Sequence, residues 1–180
     1  MLGFFKMLKT VRDTVREARK QHRRYREMTP AELAELPDEQ LYEAVYLRTM
    51  DKDVCDSSLD SAATMSHPEQ VFFVVSYYEM EVSNGGLCQF LANPSREIAP
   101  LLPYSLREIG AEDHRELFMR FIEENGIDLA ALSDSETEDF DDYEELKERY
   151  PFDEFDDRFS ELPELPDYLV PYFRKHLEDF

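Results

Sequence analysis

The stretch SNGGLCQFLANPS, residues 83–95, decides the fold of this chain. It places two adjacent glycines, Gly85 and Gly86, between apolar segments, although the 180 residues contain only five glycines. Helix ends need a residue that adopts a positive φ without steric cost. Gly85 is predicted to supply that conformation, and Gly86 to let the next helix begin at once and approach closely. We therefore expect a sharp corner between two buried helices.

Neutral amides surround this corner at Asn84, Gln89 and Asn93. Helix ends leave backbone N–H and C=O groups without partners, and an amide side chain can satisfy both kinds. Gln89 and Asn93 are four residues apart and therefore share a helix face. We expect them to reach back to the corner, with Asn93 also capping the helix that begins at Pro94. This interpretation makes the amides structural.

Helix signals continue along the rest of the chain. TPAE at Thr29–Glu32 and SHPE at Ser66–Glu69 combine a capping box with a proline in the first turn. The following VFFVVSYYEMEV is rich in β-branched and aromatic residues, as a strand would be. Its length, its capping box and the glycine stop favour a buried helix instead. No stretch shows convincing strand alternation, so the sequence predicts an all-α fold of about eight to ten helices.

The other predicted helices, on both sides of the corner, follow from apolar spacing and from Gly and Pro positions. They are a helix to about Leu36, Glu39–Met50, Leu87–Leu91, Pro94–Leu106 bent or split by Pro100 and Pro103 and ended by Gly110, Ala111–Glu124 ended by Asn125-Gly126, a helix near Phe140–Tyr150, a short one through Phe152, Phe155 and Phe159, and Pro166–Leu177. Residues 51–58 are predicted to be a polar connector and the segment after Gly126 an acidic loop.

Charge is distributed unevenly. The chain has a net charge of −21, yet residues 1–26 hold nine Lys/Arg and two acids, a net of +7. The remaining 154 residues hold 11 bases and 39 acids, a net of −28, and residues 128–167 alone carry −14. Such a field repels nucleic acid and attracts basic proteins. We therefore expect no direct nucleic-acid binding and a basic protein as partner.

The basic segment 1–26 has an apolar stripe at helical spacing. The stripe consists of Phe4, Leu8, Val11, Val15, Ala18, His22 and Tyr25. A basic amphipathic helix that docks on the acidic domain of residues 27–180 is the favoured interpretation. The alternatives are a membrane-surface helix and an arm for oligomerisation or partner docking. Membrane contact is not favoured.

No reactive or metal centre is evident. Cys55 and Cys88 match no disulfide or metal spacing, which favours a reducing compartment such as the cytoplasm. No run approaches the roughly 18 apolar residues of a membrane span, and no signal peptide is expected. Cys88 lies near a helix start, which could activate it, but a buried inert thiol is the favoured interpretation. We expect no catalytic residue and no cofactor.

An EF-hand loop is the metal site most worth testing against this sequence. In DSETEDFDDYEE, acids occupy loop positions 1, 3, 5, 9 and 12 from Asp134 to Glu145. Position 6 is Asp139, where the loop needs a glycine to turn. No metal site is therefore expected.

Three segments in order resemble the DNA-mimic-protein domain family, whose best-known member is a nineteen-kilodalton acidic bacterial protein. They are SYYEMEVSNGGLCQFLANPS, SLREIGAEDHRELF and YPFDEFDDRFSEL. The resemblance implies an all-helical acidic protein that often forms a homodimer. It further implies carboxylates that act like a DNA backbone and occupy the basic DNA-binding surface of a transcription regulator. Its uncharged motif residues are Asn84, Gly85, Gly86, Gln89 and Asn93, so mimicry would depend on the acidic surface.

Acidic residues are dense enough for such a role. Duplex DNA carries one charge per roughly 1.7 Å of axis, and helical neighbours lie roughly 5–6 Å apart between Cβ atoms. The predicted acidic face consists of Asp134, Glu136, Glu138, Asp139, Asp141, Asp142, Glu144, Glu145, Glu148, Asp153, Glu154, Asp156 and Asp157. The alternative is a solvated surface that only aids solubility.

Three functional hypotheses remain open at this point. The favoured one is a non-enzymatic interaction protein whose acidic face binds a basic partner. The second is an enzyme or small-ligand binder that uses the amide corner together with Tyr77, Tyr78 and Glu81. The third is an oligomeric or membrane-peripheral protein that uses helix 1–26.

Overall fold

The computed structural model of the chain describes residues 16–17, 19–53, 57–133 and 140–180, with the side chains of residues 140–142 excepted. The described residues are mostly helical and include no β-strand, which confirms the all-α prediction. The α-helices are α1 (residues 19–27), α2 (Pro30–Ala34), α3 (Asp38–Met50), α4 (Leu59–Ala63), α5 (His67–Ala92), α6 (Leu102–Ile109), α7 (Glu112–Glu124), α8 (Leu129–Ser133), α9 (Phe140–Arg149), α10 (Phe152–Phe159) and α11 (Leu165–Lys175). Two 3₁₀ segments span Pro94–Leu101 and Leu177–Asp179.

Both predicted capping boxes are present. The Thr29 side chain accepts a hydrogen bond from the backbone N–H of Glu32, whose carboxylate accepts one from the N–H of Thr29. Ser66 and Glu69 make the same reciprocal pair at the start of α5. Each pair satisfies two N–H groups that have no partner within the helix. The stretch VFFVVSYYEMEV is therefore a helix, as predicted, and not a strand.

Helix α5 forms the centre of the core. It packs against α3, α4, α6, α9, α10, α11 and the first 3₁₀ segment. Tyr78 on α5 is fully buried, and its ring meets those of Phe90, Phe118 and Phe159 edge to face at 5.4–6.0 Å between centroids. Edge-to-face pairs of this kind stabilise a core beyond the area they bury. The aromatic-rich composition is thus concentrated around one helix.

Two parts of the chain differ from the predicted helix list. The predicted helix after Asn93 is a 3₁₀ segment followed by α6, a split that agrees with the expected effect of Pro100 and Pro103. Helices α4 and α8 were not predicted, because five residues are too few for apolar spacing to stand out. Each begins at a polar side chain, Ser58 for α4 and Asp128 for α8.

The described end of the basic segment docks on the domain. Tyr25 is 1% exposed, and its hydroxyl donates a hydrogen bond to Glu43 on α3 at 3.1 Å. Arg26 pairs with Asp51, and Arg48 donates to the carbonyl of Met28 at 3.1 Å. These contacts agree with the docking interpretation at residues 25–28. The apolar stripe from Phe4 to Val15, together with Ala18, lies outside the described residues.

Candidate functional site

The glycine pair bends α5 within its length. Gly85 has φ −150° and ψ 19°, and Gly86 has φ 78° and ψ 178°. The corner was predicted, but the residue with positive φ is Gly86 and not Gly85, so that part of the prediction was wrong. The combination at Gly86 is one that essentially only glycine adopts. A Cβ at Gly86 would also overlap the carboxylate of Asp156.

Asp156 on α10 caps the second part of α5. Its Oδ1 accepts a hydrogen bond from the backbone N–H of Leu87 at 2.8 Å, at the point where the helix resumes after the glycines. A carboxylate is favoured there because the N-terminal end of a helix carries partial positive charge. Burial nevertheless raises the pKa of Asp156, with Asp153 and Asp157 adding to the effect. One member of the predicted acidic face therefore holds the corner together.

The amides of the motif bind a carboxylate instead of the backbone. The side-chain N–H groups of Gln89 and Asn93 both donate to Oε2 of Glu81, the latter at 2.9 Å. Glu81 is 7% exposed, so the amides satisfy a buried carboxyl group. Asn93 makes no side-chain capping bond to the following 3₁₀ segment, contrary to prediction. The backbone N–H of Leu87 donates to the carboxylate of Asp156 and not to an amide of the motif. Asn84 is exposed.

Sequence reasoning grouped Glu81 with the amide corner only in the ligand-binding hypothesis and expected Gln89 and Asn93 to bind backbone groups instead. In the structure Glu81 lies before the bend, Gln89 lies after it, and Asn93 lies at the end of the second part. The non-helical φ and ψ values of Gly85 and Gly86 interrupt the helical repeat between the two parts. The spacing of positions 81, 89 and 93 therefore carried no signal for this contact, which depends on the direction of the bend.

Cys88 is a buried free thiol, 2% exposed. Burial raises the pKa of the Cys88 thiol to about 11, opposed by Lys147 and reinforced by Asp156 and Glu144. Its Sγ lies 3.8 Å from the carbonyl oxygen of Tyr143. The thiol is therefore protonated at neutral pH, in agreement with the expected inert residue. Cys55 lies outside the described residues.

The described part of the predicted acidic face lies on α9 and α10. Its exposed carboxylates are Glu144, Glu145, Glu148, Asp153, Glu154 and Asp157. Asp134, Glu136, Glu138 and Asp139 lie outside the described residues, as do the side chains of Asp141 and Asp142. The face is interrupted by Lys147, Arg149 and Arg158.

Aromatic contacts fix the backbone beneath this acidic face. Phe152 and Phe155 of α10 are buried, and their rings lie 5.2 Å and 5.5 Å from that of Phe121 on α7. Lys147 and Arg149 lie over the rings of Tyr143 and Tyr150 at 6.0 Å and 5.8 Å. The carboxylates of α10 therefore project from a helix that is anchored in the core.

Two further predictions concern metals and membranes. The first six positions of the tested EF-hand loop, residues 134–139, are not among the described residues. Within the described ranges, no group of three or more His, Cys, Asp or Glu side chains is arranged to hold a metal ion. Over the same ranges, no helix has the length and apolar character to cross a membrane.

A family model described as DMP19-like protein matches residues 63–176. The matched range runs from the end of α4 to just beyond α11 and covers more than half of the chain, including the bend and α10. It leaves out the basic segment, α2 and α3. Neither a curated protein nor a solved structure matches the chain.

Proposed function

This chain belongs to the family of DMP19-like proteins, as its resemblance to the DNA-mimic proteins predicted, and from that premise we propose that it is a non-enzymatic acidic interaction protein. Its partner is a basic protein, and the acidic face of α9 and α10 binds the surface with which that partner would hold DNA. A cytoplasmic location forms part of the proposal, since a DNA-binding regulator is the partner we expect.

The observation that carries the proposal is the pairing of exposed carboxylates with a fixed backbone. Glu144, Glu145 and Glu148 on α9 and Asp153 and Asp157 on α10 are exposed, while Phe152 and Phe155 bury the opposite side of α10. Charges held on a rigid element keep their spacing when a partner binds, so association costs less conformational entropy. A row of such carboxylates can pair with the cationic side chains that a DNA-binding protein otherwise uses to bind phosphates.

The contacts at the bend favour this proposal over a ligand pocket. Gln89 and Asn93 already donate to Glu81, and Asp156 already accepts from Leu87. Polar groups that are paired within the fold have less to offer a ligand. Docking of Tyr25 and Arg26 on the domain likewise supports a structural part for the end of the basic segment.

Affinity capture with a matched pair of variants tests the proposal. The triple variant E144Q/E145Q/E148Q removes three charges from α9, and E116Q/E123Q/E124Q removes three exposed charges from α7. We expect wild type and the α7 variant to capture a basic DNA-binding protein and to displace DNA from it in a mobility-shift assay. The α9 variant should need about tenfold more protein for the same displacement, and salt should weaken binding steeply.

The opposite pattern is equally well defined. Equal losses in the two variants would mean that net charge, not the α9 surface, governs binding. Partners that are acidic, or a complex whose affinity is unchanged between low and high salt, would refute an electrostatic mimic of any kind.

A further inference from the structure

A groove of about 610 Å³ runs between α3 and α11, and its lining residues belong to these two helices. Its apolar walls are formed by Tyr42 of α3 and by Pro166, Val170 and Pro171 of α11. Tyr42 also packs against the buried rings of Phe72 and Phe173, so the floor of the groove is fixed by the core. A preformed concave surface of this size accommodates side chains of a partner.

The rim of this groove is acidic. Asp38, Glu39 and Asp167 line it and are exposed. Close by, the hydroxyl of Tyr42 donates a hydrogen bond to Glu79 at 3.2 Å. The groove therefore combines apolar walls with carboxylates at its edge, and a further carboxylate, Glu79, is bonded to the hydroxyl of the wall residue Tyr42. This composition suits a long cationic side chain with an apolar stem.

Glu79 is a partly buried carboxylate without a compensating charge. It is half-buried on α5, and no cation of the described residues lies within ion-pair distance of it. Burial raises the pKa of Glu79, and the nearby Glu164 raises it further, while the Tyr42 bond lowers it. A desolvated carboxylate that costs stability is a common mark of a binding position.

A guanidinium group already occupies the other end of the groove. Arg174 pairs with Asp38 and donates to the carbonyls of Ala34 and Leu36 at 3.1 Å and 3.0 Å. The groove thus shows within the chain how planar, multi-donor cations are held there, and arginine is better suited than lysine to such forked contacts. Glu79 has no such partner.

We propose that the groove between α3 and α11 receives an arginine side chain of the basic partner, which lies against Tyr42 and pairs with Glu79. This inference rests on the proposed function, because it takes a basic protein as the partner. It adds a specific contact at a second surface, whereas the acidic face of α9 and α10 acts by charge alone. Glu39 and Asp167 at the rim attract the same segment.

In the test, the full chain is labelled with ¹⁵N and titrated at low salt with a short glycine-serine peptide that contains two arginines. NMR follows the backbone amide signals of the protein. Shifts are expected at the backbone amides of Tyr42, Glu79 and Asp167. The variant E79Q, in which the amide oxygen can still accept from Tyr42, should bind the peptide about tenfold more weakly, as expected for loss of a charge-assisted pair. The rim variant D167N should show a smaller loss, and E116Q on α7 none. The same peptide with lysines should bind more weakly than the arginine peptide.

The outcomes separate this inference from the proposed function. Shifts confined to α9 and α10, with E79Q binding like wild type, would overturn the groove and leave the acidic face intact as the binding surface. Equal affinities for the arginine and lysine peptides would overturn the guanidinium preference. An absence of salt-dependent binding at both places would remove the inference and the proposed function together.

Discussion

Carboxylates have different roles in two regions of this molecule. At the bend of α5, Glu81 and Asp156 accept three hydrogen bonds between them from Gln89, Asn93 and the backbone of Leu87. On α9 and the outer side of α10, carboxylates of the same chemical kind are exposed. The difference teaches that burial and partners, not residue type, decide whether an acid stabilises the fold or remains free to meet another molecule.

The substitution Gly86→Ala should show the largest effect and would test the bend most directly. Alanine is strained at φ 78°, and its Cβ would overlap Asp156, which would lose its bond to Leu87. We expect the free energy of unfolding to fall by about 3 kcal/mol, from backbone strain together with an unpaired polar group. Urea denaturation followed by circular dichroism measures this.

Gly126→Ala is the matched control, because Gly126 also has a positive φ of 63° but a Cβ there would meet nothing within 4 Å. Its cost should be about 1 kcal/mol, from backbone strain alone. If the two variants lost equal stability, the close approach of Asp156 to Gly86 would have no energetic weight and the contrast between the regions would weaken.

Elements that the sequence predicted well are those with local signals. The capping boxes at Thr29 and Ser66 were placed correctly, since the bonds of a capping box join residues three apart. The bend itself was predicted from the two glycines. The carboxylate that caps the helix after the bend was not predicted, because Asp156 lies 69 residues beyond Leu87 and no local pattern links them.

The acidic face shows the same limit of prediction from the sequence. Counting charges assigned Asp156 and Asp157 to one surface, although the first is half-buried at the bend and the second is exposed. Adjacent residues on a helix point about 100° apart, so neighbours in sequence often face different surroundings. The groove beside Tyr42 and Glu79 was not predicted either, because α3, α5 and α11 come together only in the fold.

Asp156 offers an intermediate effect with a pH signature. Asp156→Ala should cost about 1–2 kcal/mol, because it leaves the N–H of Leu87 without its cap. Asp156→Asn should cost less, since its amide oxygen can still accept that bond. The folded-state pKa of Asp156 is raised, so the ionised form binds its site less well than the neutral form.

The sign of the pH dependence follows from that shift. A raised folded pKa means that the folded chain holds this proton more tightly than the unfolded chain, for which the ordinary value is 3.8. As the pH falls from 7 towards about 4, wild type should therefore gain stability relative to Asp156→Asn. Denaturation of both proteins at a series of pH values gives the difference, and a wild type that instead loses ground on acidification would show that the ionised carboxylate is the favoured form.

The variant E144Q/E145Q/E148Q should show the smallest effect on stability and so completes the contrast. These carboxylates are exposed on α9, where neutralising surface charges usually changes the free energy of unfolding by no more than about 0.5 kcal/mol. Glu144 and Glu148 are four residues apart, a spacing at which like charges repel, so a slight gain in stability is the expected sign.

The same urea experiment applies, with E116Q/E123Q/E124Q on α7 as the comparison at equal change of charge. A loss above about 2 kcal/mol in the α9 variant would place its carboxylates with Glu81 and Asp156 as parts of the fold. In that event any loss of partner binding would report damage to the structure and could no longer be attributed to a missing contact.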